Sequence, residues 1–195
     1  MSATTRLSPA DGRSLAARIG AGLIALALSA LACADHLRVD APPLPPAVRA
    51  LAQGLKAQGG GELSFLGFRV YDGWYWARGH DWSLAAPFAL DLHYHREIAG
   101  ASIAERSVEE IAQLGLGTAE QLARWGGEMR RIFPDVGDGD RLTGLFLPPG
   151  DVRYFRNGTP IGEIVDPAFA RAFFGIWLDP ATSRADFRDR LLGRP

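Results

Sequence analysis

From Asp166 to Pro180 the chain reads DPAFARAFFGIWLDP, and this stretch constrains the fold more than any other. Asp166 can accept the free N–H groups of a first helical turn, and Pro167 suits the position that follows. Asp179-Pro180 then stops the helix. Between these signals the apolar face carries Phe169, Phe173, Phe174 and Trp177. Four large rings on one helix must be taken out of water, and a broad apolar sheet face is the surface that can do it.

The strands that could form that sheet are legible on both sides of a central helical stretch. Glu62 to Ala77, ELSFLGFRVYDGWYWA, is rich in aromatic and branched residues and is strand-like, with Asp72-Gly73 marking a bulge or bend. Phe88 to Ile98 is a second strand. In it Leu90, Leu92 and Tyr94 alternate with Asp91, His93 and His95, the period of a half-buried strand whose polar side faces solvent. Arg141 to Leu147, Val152 to Phe155 and Ile161 to Val165 follow later, and Asn157-Gly158 between the last two is a strong hairpin signal.

Two helices separate the strand groups. Ile103, Ser107, Ile111 and Leu114 recur at helical spacing, ending near Gly115. Thr118 with Gln121 forms a capping box ahead of Leu122, Trp125, Met129 and Ile132, and Phe133-Pro134 closes that helix. A short last helix is expected from Thr182 to Leu192. Strands, two helices, strands and two helices again argue for an α+β fold with an antiparallel sheet.

The N-terminus reads as a signal peptide over residues 1–34. Arg6, Arg13 and Arg18 precede the apolar run IGAGLIALALSALA, and Ala32-Cys33-Ala34 fits a small-residue cleavage pattern before Asp35. The run is too short to span a bilayer, which takes roughly 20 apolar residues. A periplasmic or secreted location with no membrane span after cleavage is therefore expected. Cys33 offers a lipoprotein alternative, but Leu31 stands one place too near it for a good lipobox. Residues 35–58, with Ala41-Pro42-Pro43-Leu44-Pro45-Pro46, are read as a proline-rich linker and short lead-in, and residues 59–195 as the folded domain.

Composition excludes several classes. A net charge of −1 leaves no basic excess to meet phosphates, so no nucleic-acid partner is expected. One cysteine rules out an internal disulfide framework. Asp91, His93 and His95 are metal-ligand types at a spacing of two, but no further ligand is evident, and no metal or cofactor is expected.

The segments LGFRVYDGWYW (66–76), AERSVEEIAQLGLG (104–117), RIFPDVGDGDRLTGLFLPPG (131–150) and RNGTPIGEIVDPAFARAFFGIWLDPATS (156–183) resemble the chalcone isomerase-like domain of bacterial exported proteins. The resemblance implies an open-faced antiparallel sheet with helices packed on one face. It also implies either of two activities. Plant chalcone isomerases close a flavanone ring in an apolar cleft lined by an arginine, a tyrosine, an asparagine and hydroxyl residues. Related fatty-acid-binding members hold a carboxylate with the arginine and tyrosine. Carried over by position, the arginine falls near Glu62 or Leu63, the strand threonine at Arg69, the tyrosine at Ile103, the asparagine at Glu110 and the last hydroxyl near Asp166. None matches, and catalysis of a ring closure needs such donors in place. No catalytic residue is therefore assigned, and whether any enzyme activity remains is left open.

Arg69 and Tyr71 lie two apart on the first strand and are read as sharing a face, a guanidinium and a phenol placed to clamp an acid ligand. The leading expectation is a non-catalytic exported domain that binds a small apolar, amphipathic or carboxylate ligand such as a fatty acid. An isomerase or intramolecular lyase of the chalcone isomerase type and a protein-interaction domain without ligand are the alternatives.

Overall fold

A computed structural model describes residues 40–194. The expected signal peptide and Cys33 lie outside the described residues. The described chain runs α1 (Pro46–Leu51), β1 (Lys56–Phe65), β2 (Phe68–Ala77), β3 (Phe88–Tyr94), α2 (Gly100–Gln113), α3 (Ala119–Ile132), β4 (Arg141–Leu147), β5 (Asp151–Arg156), β6 (Thr159–Val165), α4 (Pro167–Leu178) and α5 (Ala185–Leu191). The six strands pair antiparallel in sequence order, so the α+β fold with an open antiparallel sheet is as expected.

Local signals explain most of the elements. Asn157 and Gly158 take φ of 50° and 83°, the two positive values a tight hairpin needs, and join β5 to β6. The Thr118 and Gln121 capping box forms as read. Asp166 caps α4 by accepting the N–H groups of Ala168 and Phe169 at 2.9 and 3.2 Å.

The rings of α4 lie on the sheet. Phe174 meets Phe88 edge-on at 4.7 Å, and Phe88 stacks on Phe146 at 4.9 Å. Tyr75, Leu90, Val152 and Phe187 join the same core. Truncating one such fully buried ring costs about 3–5 kcal/mol.

Four expectations need correction. The run 62–77 is not one strand but the end of β1 and all of β2, joined by Leu66 and Gly67 at φ of 51° and 80°. Leucine is not a turn former, so only Gly67 carried a signal there. Asp72-Gly73 is regular, paired with Glu62 and Gly61 on one side and with His93 and Leu92 on the other. The bulge lies at Val70, because Leu63 pairs with Tyr71 while Ser64 pairs with Arg69. The boundary at residue 59 falls inside β1, and the lead-in is packed. Leu44, Val48 and Ala52 are buried against Trp74, Trp76, Ala89, Leu145 and Phe155 on the side of the sheet away from α4.

The fourth correction concerns Asp91, which does not face solvent. It is 0% exposed and receives Arg141 Nε at 2.9 Å, Arg141 Nη2 at 2.6 Å and Thr143 Oγ1 at 2.7 Å. Burial would push its carboxyl up, but hydrogen bonds from His93 and Arg141 together hold it below its ordinary value. Period two identified the face correctly and could not reveal that the face is covered.

Removing one partner of a buried pair strands the other. Arg141→Ala is expected to lower the unfolding free energy by about 3–5 kcal/mol near neutral pH, measured by urea denaturation. The stability that Asp91 contributes is present above its unfolded value, near pH 4, and lost as the pH falls through its lower folded value. The gap between wild type and variant is expected to close in acid.

Candidate functional site

The space between the sheet and its helices is not completely filled. A cavity of about 600 Å³ remains, with Tyr71, Leu90 and Leu92 on the sheet side, Ile103 from α2, and Phe173 and Trp177 from α4. Gly144 contributes to this opening. It pairs with Leu90 on one side and Tyr154 on the other, and presents no side chain where a Cβ would meet Phe174 at 3.4 Å.

The walls are aromatic and internally braced. Trp177 Nε1 donates to Tyr71 Oη at 2.8 Å. Tyr71 meets Tyr94 edge-on at 5.6 Å and Phe187 at 5.9 Å. Burial pushes the Tyr71 hydroxyl up to about 12, against the opposite pull of the Trp177 hydrogen bond.

A smaller part of the lining is charged. Glu110 is 8% exposed, takes Ser183 Oγ at 3.0 Å and is bound by Arg106. Arg106 is thereby engaged. Arg96 and Arg184 also line the cavity, and neither has a carboxylate partner among the described residues. The Arg184 guanidinium lies 5.6 Å above the Phe65 ring, itself part of the lining.

Tyr71 is therefore at the cavity, and Arg69 is not among its lining residues. Arg69 instead pairs with Glu62, with Asp72 Oδ2 at 3.3 Å and with His95 Nε2 at 3.2 Å. The Val70 bulge accounts for the separation. It inserts one residue between Arg69 and Tyr71 in the ladder, so the shared face that period two implied is lost, and Val70 takes a place in the lining.

The Asp91, His93 and His95 trio also divides. His93 Nε2 is 3.3 Å from Asp91 Oδ2, whereas His95 Nε2 is 2.8 Å from Asp72 Oδ2. Sequence reasoning missed Arg96 and Arg184 because it ran both elements too long: β3 ends at Tyr94, not Ile98, and α5 begins at Ala185, not Thr182, so both arginines lie in loops where no periodicity reports direction. Tyr154 could have been found, since alternation with Val152 puts it on the core face.

An open antiparallel sheet with its longer helices over one face, and an apolar cavity between the two layers, define the class as an α+β domain with an internal pocket. The family model described as chalcone isomerase-like matches residues 43–193, and the chain belongs to that family. An uncharacterised protein of Haemophilus influenzae is 34% identical over 109 residues, 55% of this chain and 52% of that protein. The chain thus spans about half the length of this curated relative. The crystal structure of a fatty-acid binding protein from Arabidopsis thaliana is similar, with a TM-score of 0.57 and 12% identity. The match covers 73% of this chain and 88% of that one, and at this identity it is a likeness of fold.

All four tyrosines of the chain, Tyr71, Tyr75, Tyr94 and Tyr154, are held above their ordinary value by burial. Raised values mean that stability is complete below pH 10 and is lost as the pH climbs beyond it. Absorbance at 295 nm is expected to stay flat through pH 10 in the native protein and to rise only together with the loss of tertiary circular dichroism. In urea the same groups should titrate near pH 10.

Proposed function

We propose that this chain is a non-catalytic binding module for an amphipathic carboxylate such as a fatty acid. The observation that carries this is the apolar cavity of about 600 Å³ whose lining holds three arginines, Arg96, Arg106 and Arg184, against two acids, Glu97 and Glu110, with Glu110 already held by Arg106. That volume is in the usual range for small-molecule sites, roughly 300–1,000 Å³. The likeness of fold to a fatty-acid binding protein supports the reading. The positions aligned with the ring-closing donors hold Glu62 or Leu63, Arg69, Ile103, Glu110 and a residue near Asp166, and Asp166 is occupied in capping α4. Export belongs to the same proposal and rests on the N-terminal arginines, apolar run and small-residue cleavage pattern.

Native mass spectrometry of the protein from its own host is the direct test. Extra mass that leaves on denaturation, with a polypeptide beginning at Asp35, is the expected result. A bare polypeptide at gentle settings would count against binding, and an uncleaved N-terminus against export. A charged head group held by a guanidinium contributes about 1.5–3 kcal/mol. Replacing Arg184 and Arg96 together by Leu is accordingly expected to weaken palmitate at least tenfold and to leave its methyl ester unchanged, by fluorescent-probe displacement.

One observation favours a second reading, a protein-interaction domain. Phe65, Leu66 and Phe68 at the β1–β2 turn are 51%, 81% and 66% exposed, and Leu66 holds a positive φ of 51°. Three exposed apolar side chains together mark a contact surface. A photo-crosslinker at residue 66 that captures one envelope protein in cells, with no ligand mass in the native spectrum, would move the assignment to this reading.

A further inference from the structure

Tyr154 on β5 is 4% exposed and lines the cavity. Its ring is held edge-on by Phe133 at 5.0 Å and Phe173 at 5.5 Å. Its hydroxyl has no hydrogen-bond partner among the described residues. Tyr71 differs in this respect, because its oxygen accepts the Trp177 N–H. Buried polar groups are almost always partnered, and a phenylalanine would fill the same place without an orphaned hydroxyl. Burial holds the Tyr154 hydroxyl well above 10, so it remains a neutral donor.

Its position in the sheet tells which part of a ligand it would meet. Arg184 sits over Phe65 of β1, and Tyr154 is on β5. With β1 to β5 side by side, neighbouring strands about 4.8 Å apart put β1 and β5 on the order of 19 Å from one another across the sheet. A head group at Arg184 therefore leaves Tyr154 facing the distal half of an extended chain.

We propose that Tyr154 is a second polar contact of this cavity, and that the ligand is an oxygenated amphipath: a carboxylate at one end and, in the distal half of its chain, a carbonyl or hydroxyl oxygen that accepts a hydrogen bond from Tyr154 Oη. The proposal rests on the binding reading above and narrows its ligand class. A saturated fatty acid fills the apolar space and leaves the hydroxyl unanswered. An oxygen at the right carbon answers it, and the low polarity around Phe133 and Phe173 makes that one bond selective.

The test is calorimetric titration of the protein with stearate and with oxostearates carrying the keto group at successive carbons. One isomer with its oxygen in the distal half is expected to bind about tenfold tighter than stearate. Tyr154→Phe, which keeps the ring and its packing, is expected to bring that isomer to parity with stearate when both are titrated into the variant. Isomers that all bind no better than stearate would overturn the proposal and leave the binding module standing, with Tyr154 merely hydrated. A preference that survives in Tyr154→Phe would also overturn it. Failure of stearate and of every isomer to bind would overturn the binding reading and this proposal with it.

Discussion

The structure depends first on the seating of α4 on the sheet. Asp166 fixes where that helix starts, accepting the Ala168 and Phe169 N–H groups with one oxygen. Its other oxygen takes Trp125 Nε1 at 3.0 Å and Arg124 Nη2 at 2.6 Å. One carboxylate thus ties the helix start to α3. From that fixed start the helical repeat presents Phe169, Phe173, Phe174 and Trp177 in turn, and a shift of one residue would send them elsewhere. Phe174 closes on the Phe88 and Phe146 pair, whereas Phe173 and Trp177 wall the cavity.

The cavity is the complement of that seating. Protein interiors pack densely, and a space of about 600 Å³ beside a fully buried aromatic cluster stands out against the rest of this one. It exists where the sheet offers Gly144 and where α2 contributes Ile103 and Ser107 rather than larger rings. The opposite side of the sheet is sealed in another way, by Leu44, Val48 and Ala52 over Trp74 and Trp76 and by the Asp91–Arg141 pair. The sheet is therefore a wall between a dry packed layer and a hollow one.

Much of the fold was legible in the residues. Asn157-Gly158, the Thr118 and Gln121 box and the Asp166-Pro167 start are local signals whose physics is settled within four residues, and each formed as read. What failed had either a weak local signal or partners elsewhere in the chain. The Leu66-Gly67 turn has only one turn residue, the Val70 bulge is set by how β1 pairs with β2, and the burial of Asp91 depends on Arg141 fifty residues later. The site divides the same way. Tyr71 and the aromatic wall followed from pattern, while Arg96 and Arg184 reach the cavity from loops that no period describes.

The Val70 bulge has a wider consequence. Side chains on a strand have only two addresses, and one inserted residue exchanges them for everything beyond it. Here the insertion takes the Arg69 guanidinium out of the cavity lining and brings an aliphatic side chain into it. The length of a strand is in this sense a specificity determinant, separate from the identity of any residue in it. Among proteins that share this sheet, one residue added to β1 opposite Val70 would restore the alternation, turn Arg69 onto the face of Tyr71 and convert an oily rim into a cationic one, and selection could move a scaffold between ligand chemistries in that single step.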